Sequence, residues 1–91
     1  MLQWYRMQYR DRRELEDWIA DVRERRRSVH PREVHRVLVL GGFDRRPGKG
    51  DHWIYRRGGS GIVVIDPRIP LLPAYVSAVI RVIEEILREE G

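Results

Sequence analysis

A single lysine, Lys49, stands among 18 basic residues, and it sits in Gly48-Lys49-Gly50-Asp51-His52, between two glycines and three positions ahead of a histidine. Each residue type suits one task. Glycine lets the backbone and its N–H groups come close to a ligand. A lysine ammonium is a compact, strongly hydrated charge suited to a phosphate. Arg45, Arg46, Arg56 and Arg57 flank the stretch. Histidine is the side chain best placed to take and give protons near neutral pH. A loop built this way would hold a phosphodiester beside a proton-transfer group, the arrangement that activates a ribose 2′-hydroxyl. The same residues also read as a plain hairpin turn followed by a structural histidine, and at this level both readings stand.

Other chemistries lack their residues. Nothing resembles a Ser-His-Asp set, a nucleotide P-loop or a paired-carboxylate site. The chain has no cysteine, so it holds no disulfide or zinc–thiolate site, and a reducing compartment fits. His30 and His35 are five residues apart, do not share a helical face and are joined by no acidic cluster, so neither a metal nor a cofactor is expected. His30 reads as the residue that opens a helix and His35 as exposed. Gly58-Gly59-Ser60-Gly61 has no helix behind it and is no phosphate cradle.

The elements that must position Lys49 and His52 follow from periodicity. Leu15, Trp18, Ile19 and Val22 fall on one helical face and predict a helix over 11–27, with Arg25, Arg26 and Arg27 in its last turn, where positive charge suits the helix dipole. Pro31 suits the first position of a second helix, which Gly41-Gly42 stops with a left-handed cap residue. Three short strands follow: 43–46, 52–57 with Trp53 and Tyr55 on one face and His52, Ile54 and Arg56 on the other, and 62–65. The last is β-branched throughout and is expected to be central or well covered. Residues 66–70 read as an extended linker, and 73–89 as a helix with Val76, Val79, Ile80, Ile83, Ile86 and Leu87 as its core stripe. The order helix, helix, three antiparallel strands, helix is an α+β fold, with the helices on one face of a small twisted sheet and the other face open.

Ninety-one residues with 42% apolar content make one domain with one modest core. No run is apolar enough to span a membrane, and the N-terminal stretch lacks the apolar segment of a secretory signal, so a cytoplasmic protein is expected. The net charge of +4 is uneven: residues 1–30 carry +2, residues 31–70 carry +4 and residues 71–91 carry −2. The excess coincides with the glycine-flanked lysine and suggests a polyanion partner, though an arginine-rich chain can also simply be soluble.

With these elements in order, the segment Arg45-Arg46-Pro47-Gly48-Lys49-Gly50-Asp51-His52-Trp53-Ile54-Tyr55-Arg56 resembles the strand-turn-strand of HicA-type toxins, where Lys-Gly-Ser-His-His-Ile-Tyr is usual. Leu40-Gly41-Gly42-Phe43 before it is similar to the family's Leu-Gly-Phe, with one extra glycine. The Val/Ile strand and proline-containing linker, Ile62 to Pro70, follow in step, and then comes a last-helix motif that opens with Pro73-Ala74-Tyr75-Val76 and runs to Ile83-Glu84-Glu85. His30-Pro31-Arg32-Glu33-Val34 is similar to the Asn-Pro-Lys-Glu-Val of longer members. The likeness covers about residues 14 to 87.

The resemblance implies a fold like a double-stranded-RNA-binding domain, over residues 31–89, with residues 1–28 as a helical extension. It implies a metal-independent ribonuclease toxin that cleaves messenger RNA, with His52 catalytic and a HicB-type antitoxin as partner. On that reading Lys49, Arg45, Arg46 and Arg56 contact RNA phosphates, and Gly48 and Gly50 allow close approach. Two positions depart from the family: Asp51 replaces a serine and Trp53 a second histidine. Asp51 would oppose a phosphate or favour protonated His52; Trp53 would stack on a base or sit in the core. An RNA- or partner-binding module without catalysis is the alternative. A third reading is a self-associating structural protein using an N-terminal aromatic arm, Trp4, Tyr5 and Tyr9.

Overall fold

The computed structural model describes residues 7–58 and 61–90, with the side chains of Ile62 and Glu90 outside that description. In chain order they form α1 (Tyr9–Arg23), α2 (Pro31–Leu40), β1 (Asp44–Pro47), β2 (Trp53–Arg57), β3 (Gly61–Ile65) and α3 (Pro73–Glu90). The fold is a small α+β arrangement with one antiparallel sheet in the order β1-β2-β3.

Helix α1 buries a narrow stripe, Leu15, Ile19 and Val22, and packs on α2 and α3. It ends four residues earlier than the periodicity predicts. The Glu24 N–H turns back to the Asp21 carbonyl and the Arg25 N–H to the Val22 carbonyl. The arginines that follow are not a helix terminus; they are the corner between helices. Arg25 bonds Asp21 at 2.8 Å and Glu33 at 2.6 Å, and Arg26 donates to Ser77 of α3.

Helix α2 starts as expected, with Pro31 at its first position. His30 is its N-cap: its Nδ1 accepts from the Arg32 N–H at 3.0 Å, while Glu33 accepts from the His30 N–H at 3.0 Å. This reciprocal pairing satisfies amide groups that have no partner inside the helix. At the other end Gly42 takes φ 96°. The Gly42 N–H bonds the Val39 carbonyl and the Phe43 N–H the Leu38 carbonyl, each at 2.9 Å, the Schellman closure of a helix.

β2 lies at the centre of the sheet, flanked by β1 and β3. The expectation that the β-branched strand is central or well covered holds on one face only, and the strand is not central. β3 pairs only with β2 among the described strands, and burial alternates along it: Val63 and Ile65 are buried, Val64 is 46% exposed. β-branching here reflects fit to a pleated surface, which an edge strand with one buried face shares with a central one. Tyr55, Val63 and Ile65 face the helices. The core is completed by Val34, Val37 and Leu38 of α2 and the α3 stripe Val76, Val79, Ile80, Ile83, Ile86 and Leu87.

The linker after β3 is not extended throughout. The Arg68 N–H bonds the Asp66 carbonyl and its side chain bonds the Asp66 carboxylate, both at 2.8 Å. The Leu71 N–H then bonds the Val29 carbonyl, tying the linker to the α1–α2 corner. No helix among the described residues is long and apolar enough to cross a membrane. Of the N-terminal aromatic arm, Trp4 and Tyr5 lie outside the described residues, and Tyr9 begins α1 76% exposed.

Candidate functional site

The turn between β1 and β2 is built by two glycines for two different reasons. A Cβ on Gly48 would lie 2.8 Å from the His52 carbonyl oxygen and 3.0 Å from the Ile54 side chain. The Gly48 N–H bonds that same carbonyl at 2.9 Å. The close approach glycine allows here is therefore to the chain itself, and it fixes the backbone of His52. Gly50 has open space around it but takes φ 64°, which L side chains rarely adopt. The His52 N–H bonds the Lys49 carbonyl at 3.2 Å and closes the tip. Lys49 and Asp51 are exposed at that tip and His52 is half-buried at its base.

The strand register divides the expected phosphate contacts between two faces. Arg46 pairs with Ile54 and Asp44 with Arg56, so Arg46 and Arg56 are diagonal neighbours on the open face, around Ile54 and Val64. Arg45 pairs with Tyr55 and turns toward the helices, where its guanidinium lies 4.6 Å from the centre of the Trp53 ring. Arg57 is also on that side, donating to the Gly41 carbonyl at 3.0 Å and to Glu89 at 3.3 Å. The structure thus brings Arg45, Arg46, His52 and Trp53 together around an open cavity of about 480 Å3, which Asp51 and Pro67 also line. Arg56 is on the open face and is not part of it.

Four of the eight helix arginines are engaged by carboxylates: Arg12 by Glu16, Arg13 by Asp17, Arg36 by Glu14 and Arg23 by Glu84. Among the described residues Lys49, Arg46 and Arg56 have no such partner, nor does the His52 ring. The hairpin thus presents uncompensated positive charge, opposed locally by Asp51. No group of three or more histidine, cysteine, aspartate or glutamate side chains able to hold a metal occurs among the described residues.

Behind the cavity stands an aromatic wall that the sequence reading missed. His35 is not exposed; it is half-buried, and its Nδ1 lies 2.8 Å from the Tyr55 hydroxyl. The His35 and Trp53 rings meet edge to face at 6.2 Å, as do Trp53 and Tyr55 at 6.4 Å. Burial, and then the Arg45 charge, hold the His35 pKa below its ordinary value. Burial pushes the Tyr55 phenol up to about 12, with Arg45 opposing. The available signal was positional: His35 is three residues before core Leu38 and one after core Val34, so it borders the buried face of α2.

No protein-family model, no curated protein and no solved structure matches the chain.

Proposed function

We propose that this chain is a metal-independent endoribonuclease of the HicA toxin type, folded like a double-stranded-RNA-binding domain. The observation that carries the reading is the cavity at the β1–β2 turn, where His52 stands with Arg45, Arg46 and Trp53, in the same turn as the exposed Lys49. The basic groups hold the phosphodiester. The His52 imidazole takes the proton of the ribose 2′-hydroxyl, and the oxygen attacks the adjacent phosphorus. The bond to the 5′-oxygen breaks, that oxygen takes a proton from water and His52 returns its own to solvent, giving a 2′,3′-cyclic phosphate and a 5′-hydroxyl end. Trp53 offers an indole on which a base can stack. A HicB-type antitoxin would act by covering this turn.

The test is incubation with mixed messenger RNA in the presence of EDTA. Cleavage with cyclic-phosphate ends is expected, with a loss of roughly 100- to 10,000-fold in His52→Ala. Cleavage of equal rate by both proteins would remove His52 from the mechanism. Asp51 supports a second reading, an RNA-binding domain without catalysis, because its carboxylate lines the same cavity and repels a phosphate there. Salt-sensitive binding without cleavage, equal for the two proteins, would select that reading.

A further inference from the structure

A second cavity, of about 310 Å3, adjoins the first. It lies between the start of α2, the helix-facing side of β1 and β2, and the linker after β3. Arg45, Trp53 and Pro67 line both cavities and form the wall between them. On its far side stand Pro31, Arg32, Ile69, His30 and His35. We propose that this cavity binds a nucleobase of the same RNA whose phosphate lies at the hairpin turn, an inference that rests on the ribonucleic-acid reading above.

The two cavities have the anatomy of a nucleotide. One side of the wall carries Arg46, His52 and Asp51 at the turn and suits an anionic linkage; the other sets Pro31, Pro67, Ile69 and the indole of Trp53 beside Arg32 and Arg45 and suits a flat ring with polar edges. The wall is already assembled. Arg45 lies over Trp53, and the His35 and Tyr55 rings meet the indole at steep angles, so an aromatic surface stands in place before any ligand arrives. Ile69, at 73% exposure, leaves a branched apolar side chain open beside the cavity.

The polar groups narrow the ligand class. His30 Nδ1 accepts from the Arg32 N–H, so the neutral ring carries its proton on Nε2. The His35 Nδ1 meets the Tyr55 hydroxyl at 2.8 Å, which leaves Nε2 as the ring nitrogen without that partner. Imidazole nitrogens and the Arg32 and Arg45 guanidiniums set beside apolar walls match the ring nitrogens and carbonyls along the edge of a base. An aliphatic ligand would leave them unpaired.

The experiment measures binding to a mixed-sequence 2′-O-methyl oligonucleotide, which has no free 2′-hydroxyl to attack, and to an abasic oligonucleotide of the same length. The intact strand is expected to bind roughly five- to hundredfold tighter. Ile69→Ser changes an exposed residue, and His30→Asn keeps a good helix cap. Each should cut that preference by about threefold or more while leaving the abasic strand's affinity unchanged. Lys49→Ala should weaken both strands alike. Equal binding of intact and abasic strands, or a preference untouched by both variants, would overturn the inference while the phosphate site stands. Failure of both strands to bind would overturn the ribonucleic-acid reading, and this inference with it.

Discussion

The His35 imidazole stays neutral further into the acid range than a free one, because burial and then the neighbouring Arg45 charge disfavour its protonated form. Its folded value is depressed, so between the two values the unfolded chain binds more protons. Its contribution to stability is complete above the ordinary value of 6.5 and is lost as pH falls through the folded one. The melting temperature should therefore decline on mild acidification. In His35→Gln that decline should flatten, with about 1 kcal/mol less stability at neutral pH from the lost bond to Tyr55. Tyr55 has the opposite sign. Its raised value means stability that is complete below the ordinary 10 and lost as pH rises through about 12. An absorbance titration should show one of the four tyrosines ionising late in the folded protein. The two turn glycines should respond differently to alanine. Gly48→Ala meets backbone and should cost about 1–3 kcal/mol and shift His52; Gly50→Ala strains φ only and should cost about 1 kcal/mol. Thermal melts of both, beside a cleavage assay, check the distinction.

At the scale of elements, Glu33 joins α1 to α2. Burial pushes its carboxyl up, but hydrogen bonds from Arg25, the His30 N–H and the Trp18 indole outweigh that and hold it below the usual carboxylate value. Glu33→Ala should cost about 1–3 kcal/mol and exceed the loss in Asp21→Ala, whose exposed carboxylate bonds Arg25 alone; denaturant titration compares the two. This corner also marks how far the sequence was legible. The apolar stripe of α1, the proline start and glycine stop of α2, and the stripe of α3 are local signals, and they place those helices. The end of α1 depends on where Arg25 finds a partner eight residues on, and no window of periodicity contains that. The place of β3 at the sheet edge depends on pairing, which a run of β-branched residues does not encode. Likewise Lys49 and His52 are visible as residue types in one turn, whereas His35 meets Tyr55 across 20 residues and only the packed sheet brings them together.

The whole molecule has a single core, and its stability should respond accordingly. Ile83 is fully buried in α3, so Ile83→Ala should cost about 2–5 kcal/mol by denaturant unfolding, more than any surface ion pair removed. Charge is divided across the molecule: α3 carries an acidic surplus, while Arg46, Lys49 and Arg56 of the hairpin have no carboxylate partner among the described residues. If the hairpin holds phosphates, removing Lys49 should lower the salt slope of RNA binding by about 1. The hairpin also has a consequence for transplantation. Residues 44–57 carry their own turn geometry, since Gly48, Gly50 and the His52 carbonyl constrain one another within the segment. Grafted onto a foreign sheet, the segment should bring its loop intact. It would leave behind the α2 histidine against which Trp53 and Tyr55 rest, so the loop is portable and the wall behind it is not.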